Sequence, residues 1–160
     1  MDAQSPPNAV QAAVARAVEA HAHRPGALLP ILHAIQHELG CVPREVVPPV
    51  AHALNISRAE VAGVISFYHD FRSTPPGRHV IKVCRAEACQ SMGADALVAH
   101  AKQSLGIDFH ETRDDGAVTL EPVFCLGNCA LAPSITIDGC MHGRVTPQRF
   151  DDLVQARVKS

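Results

Sequence analysis

The sequence predicts two domains of different class, a helical bundle over residues 1–75 and a small α/β domain over residues 76–160. Three observations lead there. Apolar residues in the first half recur every three or four positions, the spacing of one helix face. After Pro75-Pro76-Gly77, which no helix continues through, the apolar runs become short, β-branched and bounded by turn residues. Asp115-Gly116 and Asp138-Gly139 then separate paired runs, the signature of hairpins.

The elements follow in order. Val10, Ala13, Val14, Ala17 and Val18 predict a first helix, and Leu28, Leu32, Ile35 and Leu39 a second. Pro30 belongs in the first turn of that second helix, and Gly40 is placed to end it. Pro43 and Pro48-Pro49 punctuate a third, shorter helix that ends near Asn55. Ser57 and Glu60 stand at capping-box spacing, opening a fourth helix whose apolar face runs through Val61, Val64, Ile65 and Tyr68. Phe67, by its spacing from Val64, is expected in the core, with an exposed ridge of Phe67, Tyr68 and Phe71 as the alternative. Residues 72–78 read as the linker. His79–Val83 then predicts a buried strand, Gly93–Leu105 a helix stopped by Gly106, and 109–112 with 118–123 a hairpin around Asp114-Asp115-Gly116. A second hairpin is expected over 135–137 and 140–144, and a closing helix from Pro147 to about Val158. The sum is a helical bundle followed by an α/β layer of thioredoxin-like character.

Composition bounds the function. At 47% apolar and 19% charged residues, the chain buries a core rather than remaining a disordered tail. Fourteen Lys and Arg against sixteen Asp and Glu leave a formal charge of -2, which argues against attachment to nucleic acid or membrane by bulk charge. No apolar run approaches the roughly 18 residues of a membrane span. The first residues carry neither a secretory h-region nor the Arg-rich pattern of a presequence, so the expected address is the cytoplasm. There, six cysteines are more often metal ligands or redox groups than disulfides.

Four of the six form two pairs. Cys84 follows the first strand and Cys89 comes five positions later, just ahead of the predicted helix at 93; Cys125 follows a strand and Cys129 comes four positions later. Neighbouring strands lie about 4.8 Å apart, so two strand-exit loops at one sheet edge bring four thiols together. Four soft thiolates select zinc or iron–sulfur. Zinc knuckles favour two-residue gaps; gaps of four and three suit a [2Fe-2S] rhomb, whose two irons each take two thiolates. That cluster is anionic and needs amide donors: the turn at Gly127 and the helix N-terminus following Ala88–Gly93 are expected to supply them. A thioredoxin-type dithiol needs Cys-x2-Cys, which is absent. Cys41 and Cys140 have no partner at ligand spacing and read as free thiols. His33 with His37, and His21 with His23, stand close in sequence, but ten histidines make such pairs frequent, and a solvated helix face is the better reading. Residues 50–67 have the outline of a DNA-reading helix-turn-helix, yet the second helix offers Arg58 as its one base and the half is net negative. No glycine-rich phosphate loop is present.

These motifs, Cys84-x4-Cys89 and Cys125-Leu126-Gly127-Asn128-Cys129 with Ala132-Pro133 behind them, resemble those of the thioredoxin-like [2Fe-2S] subunit family of respiratory complex I. The resemblance extends to Glu38-Leu39-Gly40, to Val64–Tyr68 and to Pro76-Gly77, and so covers the chain from about residue 10 to 155. It implies a helical domain followed by a thioredoxin-like [2Fe-2S] ferredoxin domain, with Cys84, Cys89, Cys125 and Cys129 as ligands and no catalytic residue. It also implies an NAD- and FMN-binding flavoprotein subunit as partner, with further iron–sulfur or catalytic subunits. The compact length and Leu28-Leu29-Pro30-Ile31-Leu32-His33 are most similar to the gamma subunit of NAD-dependent formate dehydrogenases. Complex I itself and NAD-reducing hydrogenases are the alternatives; a helix-turn-helix regulator with a metal-sensing domain, or a free-standing ferredoxin, are rivals of other classes. The hairpin departs from the family in carrying Cys140.

Overall fold

The computed structural model describes residues 7–158, which divide into two compact units with the boundary between Pro75 and Pro76.

The first unit is helical throughout: α1 (Pro7–His21), α2 (Leu28–Leu39), α3 (Val47–Leu54), entered through a 3-10 turn at Arg44–Val46, and α4 (Arg58–Phe67). Val10, Val14 and Ala17 of α1 meet Ile31, Leu32 and Ile35 of α2, and Val46, Val50, Val61 and Phe71 complete the core. Three of the predicted helix boundaries have visible causes. Gly40 ends α2 in the left-handed conformation, with its N–H on the Gln36 carbonyl. Asn55 does the same for α3, at φ 51°. At α4 the capping box closes both ways: the Glu60 N–H donates to Ser57 Oγ at 3.1 Å, and the Ser57 N–H to Glu60 Oε2 at 2.8 Å. The bonds from the Ser57 N–H and hydroxyl hold the Glu60 carboxyl below its ordinary range. Ser57→Ala removes the side-chain half of the box and is expected to cost about 1 kcal/mol, measurable as a lowered midpoint in urea at unchanged slope.

Phe67 departs from expectation: it is 75% exposed, whereas Phe71 is buried and packs on His33 with ring centroids 4.9 Å apart. The helix ends at Phe67, so the i+3 step from Val64 no longer points along the core face. Beyond the helix, Gln36 draws the chain inward and seats Phe71. Its amide donates to the Asp70 carbonyl at 2.7 Å and accepts the Arg72 N–H at 2.8 Å. His33 and His37 are both exposed, although Phe71 covers one side of the His33 ring.

The second unit is a five-stranded sheet in the order β2-β3-β1-β4-β5: β1 (His79–Cys84), β2 (Glu111–Thr112), β3 (Val118–Val123), β4 (Ile135–Ile137) and β5 (Cys140–His142). β1 and β3 run parallel and every other pair is antiparallel. Parallel neighbours need a crossover, which α6 (Ala94–Leu105) provides. One side of β1, β3 and β4 is apolar: Ile81 and Val83, Val118 and Leu120, and Ile135 and Ile137 pack with Leu97, Val98, Ala101 and Leu105 of α6 and with Phe150 of α7 (Pro147–Val158). His100 on α6 and Asp151 on α7 join at 2.9 Å, with Ser104 on the same carboxylate at 3.0 Å. Both predicted hairpins form, but β2 shrinks to two residues and β5 stops at His142, short of Arg144. Among the described residues, no helix is long and apolar enough to cross a membrane.

Candidate iron–sulfur site

The parallel pairing of β1 and β3 determines where the cysteines lie. Cys84 is the last residue of β1 and stands in register with Val123, the last of β3. Parallel strands that end together release their following loops at the same end of the sheet. One carries the chain to Cys89 and the other to Cys125 and Cys129.

The first loop differs from its predicted form. A five-residue helix, α5 (Glu87–Ser91), intervenes before α6, and Cys89 sits within it rather than ahead of a helix. Nothing in Glu87-Ala88-Cys89-Gln90-Ser91 carries a readable apolar period over so short a length. The helix is held from behind by Gln90, whose amide donates to the Arg85 carbonyl at 2.7 Å. Cys84 and Cys89 are both buried, at 2% exposure each, with Ala94 and Ala132, and with Ala86, Val123 and Leu126 packed around them. The expected amide donors at the start of α6 are partly consumed: the Met92 and Gly93 N–H groups bond the Cys89 and Gln90 carbonyls. The backbone amide that lowers the proton affinity of the Cys89 thiol belongs instead to Ser134, in the segment leading into β4.

The second loop matches expectation more closely. Gly127 takes φ 72°, a left-handed conformation that glycine adopts without Cβ strain, and its N–H donates to Cys125 Sγ at 3.3 Å. Cys129 opens a 3-10 turn, Cys129–Leu131, and both cysteines of this loop are exposed. The Asn128 amide donates to Ser134 Oγ at 3.1 Å, and Ala132-Pro133 is a cis peptide that returns the chain toward β4.

The electrostatics tie the two loops together. Burial is the largest cause of a raised proton affinity at the Cys89 thiol; its hydrogen bond with Cys84, and the neighbouring sulfurs of Cys84 and Cys129, push the same way, while the Ser134 amide opposes them. Cys84 and Cys129 both lie within electrostatic range of Cys89, and Cys125 shares the loop of Cys129. Among the described residues, no three His, Cys, Asp or Glu side chains gather tightly enough to hold one metal ion. Cys41 is buried in the first unit and Cys140 exposed at the tip of the β4–β5 hairpin; all six cysteines are free thiols. Ser134, 1% exposed, is not legible as a site residue in the sequence: a lone serine behind Ala-Pro gives no signal there.

The donor set fits a thiolate-ligated iron–sulfur cluster, since it offers four soft ligands, an amide aimed at the Cys125 sulfur and an apolar backing on one side.

Comparison with known proteins agrees. The family model described as thioredoxin-like [2Fe-2S] ferredoxin matches residues 14–157. The chain is 39% identical over 127 residues to a subunit of the NADH-quinone oxidoreductase of Pseudomonas aeruginosa, covering 79% of this chain and 76% of that protein. It is 36% identical over 141 residues to the HndA subunit of the NADP-reducing hydrogenase of Solidesulfovibrio fructosivorans, covering 88% of this chain and 82% of that one. Among solved structures, the air-oxidized NAD+-reducing [NiFe]-hydrogenase superposes with a TM-score of 0.68 at 26% identity, over 89% of this chain but 24% of the hydrogenase chain. With its two cysteine loops at one sheet end and a match along nearly its whole length, the chain belongs to the thioredoxin-like [2Fe-2S] ferredoxin family.

Proposed function

We propose that Cys84, Cys89, Cys125 and Cys129 hold one [2Fe-2S] cluster, and that the chain is a one-electron relay subunit. Its partner is a flavoprotein subunit that exchanges hydride with NAD through FMN. The observation that carries this reading is the common end of β1 and β3, which delivers both cysteine loops to one place. Bound there, a [2Fe-2S] cluster supplies reversible one-electron storage and no bond-making chemistry. A two-iron centre takes two thiolates at each iron, so the four sulfurs need not point at a single ion, as they do for structural zinc.

The chain's own residues divide the remaining work. The Gly127 amide offsets the negative charge of the Cys125 thiolate it touches, and the Ser134 amide favours the thiolate form of Cys89. Ala86, Ala94, Val123 and Leu126 keep water from the Cys84–Cys89 side. The Cys125–Cys129 side stays open and is flanked in sequence by exposed Phe124 and Leu131, an apolar rim suited to a protein partner. The helical unit over residues 1–75 serves as a docking module, to which exposed Phe67 and Tyr68 contribute apolar surface. No residue of this chain makes or breaks a substrate bond.

For the parent complex we favour a cytoplasmic NAD-dependent formate dehydrogenase, supported by the resemblance at Leu28–His33 and by six free thiols, which belong in a reducing compartment. The relatives named above serve quinone- and hydrogenase-linked enzymes, so the test must separate the three. Purifying the full chain from its native host should bring down a flavoprotein and further subunits, and the assembly should reduce NAD with formate. Turnover with hydrogen or quinone instead would move the relay to another complex. A chain that purifies alone at every salt concentration would contradict the subunit reading.

A further inference from the structure

We infer that Ser134 is a positioning residue that fixes the spacing between the two cysteine pairs, an inference that rests on the cluster assignment above. It is 1% exposed and has contacts on both sides of the site. Its carbonyl accepts the Cys84 N–H at 3.1 Å, anchoring it to the end of β1. Its hydroxyl accepts the Asn128 side-chain amide at 3.1 Å and faces the Leu131 carbonyl at 3.2 Å and the Asn128 carbonyl at 3.4 Å, the residues on either side of Cys129 and Ala130. One residue thus links the strand that carries Cys84 to the turn that presents Cys129. The backbone contact is available to any residue at this position. The hydroxyl is what holds the Cys129 turn, and it is the part a substitution can remove.

Partners that orient metal ligands typically contribute 10–100-fold in metal affinity when mutated. Ser134→Ala in the full chain is expected to release iron to a chelator about tenfold faster. It should also broaden the resonance of the reduced cluster and shift its midpoint potential, as the slackened turn loosens the hold on Cys129. Asn128→Ala removes the other end of the same bond and should do likewise. The double variant should add little to Ser134→Ala, which already breaks the bond that Asn128→Ala removes. Asn128 is half-buried and its side chain is not part of the core, so this variant decides the matter if Ser134→Ala fails to fold. A fall in thermal stability with unchanged potential, spectrum and iron release would make Ser134 a packing residue and overturn the inference, as would fully additive effects in the double variant. A wild-type chain without a [2Fe-2S] spectrum would overturn the cluster assignment itself, before any variant is made.

Discussion

Cys89→Ala should abolish the [2Fe-2S] spectrum while leaving a folded protein. The sulfur is buried beside Cys84 and within electrostatic reach of Cys129, so its removal takes one ligand from the centre of the set. What remains cannot complete two thiolates at each iron. The cost to the fold is small, since a buried free cysteine packs as a small hydrophobe and alanine fills most of its volume; about 1 kcal/mol is the scale for so slight a truncation. Circular dichroism should therefore change little where visible absorbance is lost. Cys41→Ala and Cys140→Ala are the matched controls. Cys41 is buried in the other unit and Cys140 sits at a hairpin tip, so both variants should keep full iron content. Loss of the cluster in either control, or its retention in Cys89→Ala, would contradict the ligand assignment.

The second large effect is expected at Gly143, just after β5. A Cβ placed there meets Leu131 Cβ at 2.6 Å, the Leu131 carbonyl oxygen at 2.8 Å and Asn128 Nδ2 at 2.9 Å. The close approach is what allows the Arg144 N–H to reach the Leu131 carbonyl at 2.6 Å and the Val145 N–H to reach that of Pro133 at 3.0 Å. Two of the three obstructing atoms belong to Leu131 and one of these to its backbone, so relief requires the Cys129 turn to move. Gly143→Ala is expected to cost about 1–3 kcal/mol, the range for overpacking, and to lower the thermal midpoint by several degrees in a chain of this size. It should also weaken cluster retention, which a clash remote from the site would not do. Unchanged iron content together with an unchanged midpoint would show that the turn yields freely.

Most of this architecture is legible in the sequence because the long-period signals are strong. The α2 and α6 helices show their apolar stripes, and Gly40, Gly106 and the Ser57–Glu60 box mark helix boundaries with chemistry that acts locally. The cysteine pairs are legible for the same reason: each follows a recognisable strand. What escapes is non-local or too short to be periodic. The α5 helix spans five residues, so Cys89 reads as a loop residue in the sequence although it is held on a helix and buried. Phe67 reads as inward from its spacing, but helix α4 ends there, and the side chain of Gln36, far back in the chain, seats Phe71 instead. Amide support for Cys89 is expected close to it in sequence, whereas the amide that lowers its proton affinity belongs to Ser134, just ahead of β4. The cysteine-loop features depend on contacts made only once β1, β3 and β4 are paired, and the seat of Phe71 on a contact made only once α2 has packed.

The most direct test of the relay reading is the metal content of the intact chain, purified without oxygen, measured with acid-labile sulfide and a Mössbauer spectrum. The four-cysteine assignment predicts two iron and two sulfide per chain, with both irons in tetrahedral sulfur surroundings and an S = 1/2 resonance after uptake of one electron. One zinc per chain, or a four-iron centre bridging two chains, would contradict it.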